Sequence, residues 1–306
     1  MRVIHSRKKV FDKDSIFTNK FGLLTWVLSI LKWKQFNHEV VLYVDTETLD
    51  NIKSFGFETL YDEVNQTLLE DPQVCADIDF YLFWAMPKIF SLHHEVVTLG
   101  NKALAADTDV VPMRDFSRMY NNSDVLVWSN KEQLYIKSVY PDKEYLSLPH
   151  DYKLPNWFCG KAIPLNTGII HFKDSKKADE YLTEVTKWAR YNKNPLNNTN
   201  VQTMCNAEQR LIAEMIKHKN WTYNVVQPMN QHLFNKNAFH THGYKFIKDT
   251  KKTDWNINLF LMIKELNEDT FNLLINNPLF KEEKAYFEKH GYENRPYVKE
   301  LEQYFK

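Results

Sequence analysis

Short β-type apolar runs alternate with helical stretches through most of this 306-residue chain, and that alternation constrains the fold most. Arg2–Ser6 reads as an opening strand and Phe21–Lys34 as a mostly apolar helix. Glu39-Val-Val-Leu-Tyr-Val44 is a buried-type strand, Asp50–Phe55 a short helix, Glu58–Tyr61 a short strand and Asp79–Ser91 a helix. The apolar run carrying Asp107 and Asp109, Ser123–Trp128 and Ala162–Phe172 supply further strands. The helices Lys176–Arg190 and Ala207–His218 follow, separated by an Asn-rich loop at Tyr191–Asn200, and Asn220–Val226 is a last strand. Such alternation argues for an α/β layer fold, a largely parallel sheet flanked by helices. Beyond about Lys252 the pattern turns helical and charged, over Asn258–Leu266, Asp269–Leu274, Lys281–His290 and Tyr297–Phe305. The expected organisation is a domain over residues 1–250 and a helical C-terminal extension over 251–306 packed on it.

Composition excludes several function classes. Lys+Arg and Asp+Glu stand at 39 each, so no global charge draws the chain to nucleic acid or an anionic membrane. The basic runs Arg7-Lys-Lys9 and Lys251-Lys252 are short and expected on solvated faces. Three scattered cysteines (Cys75, Cys159, Cys205) without a CxxC pair argue against a disulfide framework or a structural zinc site. The apolar run Phe21–Leu31 is about half the roughly 20 residues a spanning helix needs, so a buried helix is expected. Met1-Arg-Val-Ile-His5 runs straight into a strand pattern without a secretory start, and the expectation is a cytoplasmic protein with at most peripheral membrane contact.

The chemistry centres on Ala103-Leu-Ala-Ala-Asp107-Thr-Asp109-Val-Val-Pro112. In an extended segment residues i and i+2 point the same way, so the two carboxylates are expected to project together from a strand end. A bare D-x-D is weak, and this chain also holds Asp12/Asp14 and Asp77/Asp79, with Asp45-Thr-Glu47 a related acid-x-acid element. Asp12/Asp14 sits in a Lys-rich loop. Asp77/Asp79 precedes a helix whose positive end it can complement. Asp45 follows a strong strand and reads equally as a strand-end turn or a ligand neighbour. Only Asp107/Asp109 lies between two apolar segments in mid-domain.

Two later elements follow in order, Leu165-Asn-Thr-Gly-Ile-Ile-His-Phe172 and His240-Thr-His-Gly-Tyr-Lys245. With Asp107-Thr-Asp109 they resemble the nucleotide-sugar glycosyltransferases of the GT-A fold, particularly the retaining, glycogenin-like and capsule-polysaccharide or mannosyltransferase-like branches. The resemblance spans about residues 1–250 at motif level. It implies a Rossmann-like GT-A sheet and a divalent cation, Mn²⁺ or Mg²⁺, held by Asp107 and Asp109 against the donor diphosphate. It implies that Asn166, Thr167 and Gly168 line the sugar site, that His240 or His242 adds a metal ligand, and that Lys245 contacts phosphate. The third element lacks the usual following Pro-Trp and its lysine falls a residue early, which leaves Lys245 against Lys248 and His240 against His242 open.

The residue chemistry fits that picture. A hard divalent ion takes carboxylate oxygens, and an imidazole ligand tilts the choice toward Mn²⁺. Glycine inside an apolar strand often marks the close approach of a ligand, with a ligand-free β-bulge the alternative. Glu208 and Gln209 resemble the acidic-Gln pair that opens a helix near the donor sugar and are candidate catalytic residues beside Asp109. The alternative for Glu208 is a first-turn glutamate favoured by the helix dipole. Lys88 could reach the donor, although a surface lysine is the expectation. Ile4 and His5, at the end of the first strand, lie where the family binds the nucleotide, and His171 is expected to pack rather than act as a base. The function expected is a metal-dependent, retaining transfer of sugar from a nucleoside-diphosphate sugar to a glycan, lipid-linked or protein acceptor, as in polysaccharide biosynthesis. The alternatives are a non-catalytic nucleotide- or carbohydrate-binding or degenerate transferase protein, and a haloacid-dehalogenase-like phosphatase. The phosphatase places D-x-D near the start of its domain with glycine following, unlike the pattern here.

Overall fold

The computed structural model describes residues 1–9, 17, 19–131, 139–146, 148, 152–191, 200–227, 238–240, 249–299 and 301–302. The strands are β1 (Arg2–Arg7), β2 (Glu39–Val44), β3 (Glu63–Asn65), β4 (Ala103–Ala106), β5 (Val110–Pro112), β6 (Val125–Ser129), β7 (Asn166–Phe172), β8 (Tyr223–Gln227) and β9 (Ala238–His240). The α-helices are α1 (Lys20–Gln35), α2 (Thr46–Phe55), α3 (Pro72–Cys75), α4 (Met86–His93), α5 (Ser175–Tyr191), α6 (Asn200–Cys205), α7 (Leu211–Lys219), α8 (Asp249–Leu266), α9 (Glu268–Ile275) and α10 (Lys281–His290). Single π-helical turns continue α4 over His94–Thr98 and join α6 to α7 over Asn206–Arg210.

Seven strands form one sheet in the order β3-β2-β1-β4-β7-β6-β8. β1 is parallel to both β2 and β4, and β2 is parallel to β3. β7 runs antiparallel to β4 and β6, while β8 is parallel to β6. β5 and β9 pair separately as an antiparallel ribbon. The sheet is thus mixed and largely parallel, with helices on both faces, as the alternation predicts. The chain adds β2 and β3 on one side of β1, then returns to place β4 on the other. That reversal opens a crevice at the carboxyl ends of β1 and β4, where open α/β sheets bind ligands.

The period-2 pattern of the strands divides the core in two. Val3, Val40, Leu42, Leu104 and Leu126 face one cluster; Ile4, Val41, Ala105, Val125 and Val127 face the other. Helix α1 packs into the first. Its apolar residues occur all round the helix, so it needs cover on every side, and it lies between the sheet and α8, with Phe21 and Trp255 edge to face at 5.7 Å. Asn19 starts α1 by accepting the Gly22 N–H at 3.2 Å. Residues of α8, α9 and α10, among them Ile257, Phe271 and Phe287, share this cluster with Val3 and Leu42. Buried Glu283 of α10 accepts from Lys20 at 3.0 Å and from Asn256 at 2.8 Å, tying α10 to α1 and α8. Gly56 ends α2 at φ 73°, and a Cβ there would lie 2.8 Å from Leu273 of α9. Among the described residues, no helix is long and apolar enough to cross a membrane.

Several boundaries differ from the sequence expectations. Glu58–Leu60 forms a 3₁₀ turn, and the strand comes later, at Glu63, where Val41 offers a partner. The helix expected from Asp79 begins only at Met86, because Pro87 has no N–H and fits the first turn. The second helix of the middle region starts at Asn200 rather than Ala207. Tyr297 and Val298 are not helical, and Leu301 closes a turn onto the Val298 carbonyl at 3.0 Å. Residues 192–199 of the expected loop lie outside the described residues, as does Asp12/Asp14.

Candidate active site

β4 lies between β1 and β7, and all four of its residues are buried. Beyond Ala106 the chain turns. The Asp107 N–H donates to the Gly168 carbonyl at 2.8 Å, and the Asp107 carbonyl accepts from Val110 at 3.0 Å. Asp107-Thr-Asp109 is therefore a tight turn joining β4 to β5, not the extended segment expected from the strand pattern, so pleat alternation does not aim its side chains. Turning still leaves the pair accessible: Asp107, Thr108 and Asp109 are half-buried between fully buried strands.

Lys88 corrects the surface-lysine expectation. Its residue is 7% exposed, and its ammonium meets three acceptors. It lies 2.9 Å from Asp107 Oδ1, 2.6 Å from Glu208 Oε1 and 2.9 Å from the Thr167 carbonyl. It donates hydrogen bonds to Asp107 and Thr167 and pairs with Glu208 by charge. Burial would lower the Lys88 pKa, but Asp107 and Glu208 overrule it and hold the group charged, above its ordinary value. Glu208 moves up as well: burial raises it, Lys88 opposes, and the Asp107 charge adds to the rise. One ammonium therefore faces two carboxylates in a largely dry cluster.

Glu208 is not the first-turn residue of the alternative reading. It sits on the π-helical turn in the middle of a helical stretch running from Asn200 to Lys219. Such turns widen the helix and often occur at functional sites. The Tyr181 hydroxyl donates to the Glu208 carbonyl at 3.0 Å. Gln209 accepts from the Tyr140 hydroxyl, and its carbonyl accepts from Leu165 N–H at 3.2 Å. Its contacts brace the connection between β6 and β7.

Asn166, Thr167 and Gly168 begin β7 beside the Asp107 turn, and all three are buried. Pairing passes from Val127↔Ile170 to Ser129↔Asn166, so a bulge at Thr167–Ile169 is present. It aims the Thr167 carbonyl at Lys88 and the Gly168 carbonyl at Asp107. Asn166 Oδ1 accepts from Gly168 N–H at 2.9 Å, which steadies the bulge.

On neighbouring β1, His5 is fully buried, and burial pushes its pKa down to about 3, against a weaker upward pull from Asp109. It is therefore neutral, and its neighbours assign the tautomer. Trp26 Nε1 donates to the Tyr61 oxygen at 2.5 Å, leaving the Tyr61 hydroxyl to donate to His5 Nδ1 at 3.1 Å. Ser29 donates to the Val110 carbonyl at 2.7 Å, so His5 Nε2–H donates to Ser29 Oγ at 3.3 Å. This chain of bonds ties the end of β1 to the residue that follows Asp109. Ile4, by contrast, has its side chain wholly inside the second core cluster and presents no surface to the crevice.

β9 brings the third motif to the same place, since His240 lies opposite Val110 in the ribbon. The His240 side chain and residues His242, Lys245 and Lys248 lie outside the described residues. His171 packs as expected, buried with Nδ1 2.7 Å from the Ala103 carbonyl. Asp45 caps α2, accepting from Thr48 at 3.1 Å and from Lys9 N–H at 2.9 Å. Asp79 caps a local turn through Tyr81 N–H at 2.9 Å. Sequence reasoning missed Ser29 and Tyr61, which bond to His5, and Trp26, which bonds to Tyr61, across separations no motif encodes. The signal for Lys88 was legible in principle: it is the lone charge in the apolar run Trp84–Phe90.

The chain matches the nucleotide-diphospho-sugar transferase family over residues 34–262. None of the curated proteins matches the sequence. Among solved structures, mouse xyloside xylosyltransferase 1 in its apo form is 10% identical with a TM-score of 0.36, over 74% of this chain and 84% of that one. The PaToxG glycosyltransferase is likewise 10% identical, with a TM-score of 0.32, over 97% of this chain and 87% of that one. The phosphatase alternative gives way to the family match. This chain belongs to the nucleotide-diphospho-sugar transferase family: it is a glycosyltransferase, moving sugar from a nucleotide-sugar donor to an acceptor.

Proposed function

We propose that the crevice at the ends of β1 and β4 binds the donor with a divalent cation, and that transfer retains the anomeric configuration. The observation carrying this reading is the cluster in which Lys88 joins Asp107, Glu208 and the Thr167 carbonyl at the strand ends. The residues present fit a cation. Asp107 and Asp109 present two carboxylates on one half-buried turn, and His5 nearby is neutral and adds no competing positive charge. Carboxylate oxygens at an accessible turn suit Mn²⁺ or Mg²⁺. Asp107 and Asp109 would hold the ion, with His240 or His242 adding a nitrogen ligand that favours Mn²⁺. When bound, such an ion supplies Lewis-acid stabilisation of the departing nucleoside diphosphate.

The chain's own groups do the rest. Lys88 holds Asp107 and Glu208 in place. Asn166, Thr167 and Gly168 border the sugar, Lys245 serves the phosphates, and His5 backs the nucleotide end. Glu208 and Gln209 face the reacting sugar, where Glu208 eases positive charge developing at the anomeric carbon. Because Glu208 is already paired to Lys88, it is poorly placed to deprotonate an acceptor, which favours retention over inversion. The acceptor is a glycan, a lipid-linked sugar or a protein.

A thermal-shift screen of UDP-, GDP- and CDP-sugars with Mn²⁺ tests the site, because a ligand of the native state raises its apparent stability. One donor should raise the midpoint only with metal, and Asp109→Ala should abolish that rise while still melting cooperatively. A metal-dependent rise that survives Asp109→Ala sinks the assignment. Proton NMR of the first-formed product reports retention or inversion directly.

A further inference from the structure

Segment 80–88 links two fixed points on the rim of the crevice. At one end, Lys8, just past β1, places its ammonium 5.4 Å from the centre of the Phe80 ring and donates to the Leu69 carbonyl at 2.7 Å. At the other, Lys88 reaches Asp107, just past β4, at 2.9 Å. The residues between them therefore run along the carboxyl-end rim of β1 and β4. Phe83, Ala85 and Met86 are buried there, yet Trp84 is 41% exposed and Tyr81 is 54% exposed. The Phe83 N–H donates to the Asp79 carbonyl at 2.9 Å and Met86 N–H to the Phe83 carbonyl at 3.0 Å, so two short turns meet at Phe83. Tyr81 stands exposed in the first turn and Trp84 in the second, three residues apart along the rim. Isolated exposed aromatics are ordinary, but a contiguous apolar patch at a site rim marks a binding surface. Ile163, ahead of β7, is 51% exposed as well.

We propose that Trp84 and Tyr81 form the acceptor platform, on which a pyranose ring of the acceptor stacks through its C–H face. A glycosyltransferase must hold its acceptor hydroxyl next to the donor sugar, so the acceptor has to lie on this rim. A sugar's apolar C–H face matches an aromatic ring, and its hydroxyl edge stays in water. The platform supplies contact area without charge and leaves the carboxylates to the donor. This inference rests on the donor site proposed above.

The test uses the full-length protein with Mn²⁺ and whichever nucleoside diphosphate matches the donor found in the thermal-shift screen. Saturation-transfer NMR is recorded with methyl glycosides of glucose, galactose, mannose and xylose, the nucleotide's own signal serving as control in the same tube. At least one glycoside should show saturation transfer with the wild type. Trp84→Ala should weaken its binding about tenfold or more, Trp84→Phe should restore most of it, and Tyr81→Ala should give a smaller loss. The nucleotide signal should persist in all three variants. No glycoside binding to the wild type, or binding indifferent to Trp84→Ala, overturns the platform. Loss of the nucleotide signal in Trp84→Ala also overturns it, because the ring then serves the donor base. Failure of the donor site itself shows separately, as a nucleotide signal that survives Asp109→Ala.

Discussion

Glu208 and Glu214 lie on one helical stretch, are 2% and 1% exposed, and have opposite environments. Glu214 is cradled by neutral donors: the N–H groups of Lys161 at 2.7 Å and Ala162 at 2.8 Å, with the Cys159 thiol at 3.1 Å. Burial would raise its pKa, but these donors outweigh burial and hold it below the ordinary carboxylate value. Glu208 instead faces an ammonium it shares with Asp107, and burial with that neighbouring charge pushes it up. Burial alone therefore does not mark a reactive carboxylate. Glu214 is satisfied by the fold and straps residues 159–162 to α7, while Glu208 shares a single ammonium with Asp107.

The largest effect should come from removing the shared ammonium. Lys88→Met leaves Glu208 buried without its cation, and breaking such a pair costs about 3–5 kcal/mol. Because the Glu208 pKa is already raised, folding is less favourable with the group ionised than with it protonated. The deficit should then be smallest in acid and grow as pH rises through and above the carboxylate range, as urea melts at several pH values would show. A deficit independent of pH would mean that Lys88 acts by packing alone.

Glu208→Gln keeps shape and removes charge. Transfer should fall about 10²- to 10³-fold, the usual cost of one preorganised electrostatic group, while the melting midpoint stays near that of the wild type. Steady-state kinetics with a calorimetric melt separates the two, and unimpaired turnover would remove Glu208 from the site. Glu214→Gln should reverse that pattern: turnover per folded molecule little changed, stability lower by about 1.5–3 kcal/mol for hydrogen bonds to a charged group. Its depressed pKa contributes stability above the ordinary carboxylate range that is lost as pH falls through the folded value. The variant should accordingly lack part of the wild-type acid limb, and an unaltered limb would show that the cradle contributes nothing.

The legible part of the fold was periodic. Strands such as Glu39–Val44 and Asn166–Phe172 announce themselves through β-branched and apolar runs, and α10 lies where its pattern places it. What failed was local. Pro87 delayed the start of α4, and the Asp107–Asp109 segment turned where its apolar flanks suggested a continuous strand. The first is proline chemistry carried by the segment itself, whereas the second comes from a hydrogen bond to a distant partner, the Gly168 carbonyl, which a single segment does not reveal.

From sequence alone, this chain's class and chemistry followed: an α/β layer fold, and the Asp107, Asn166 and His240 motifs in order along the chain. Tertiary structure decided which groups share a space. Crossing from β3 back to β4 placed Asp107 next to β7, and α4 then inserted Lys88 between Asp107 and Glu208. The same packing left Trp84 on the rim while burying Phe83 and Ala85 on either side. Patterning responds to water at each position, so it reads from a single strand of text. Ion pairing and exposure depend on what the rest of the chain brings within a few ångströms, and only the folded topology determines that.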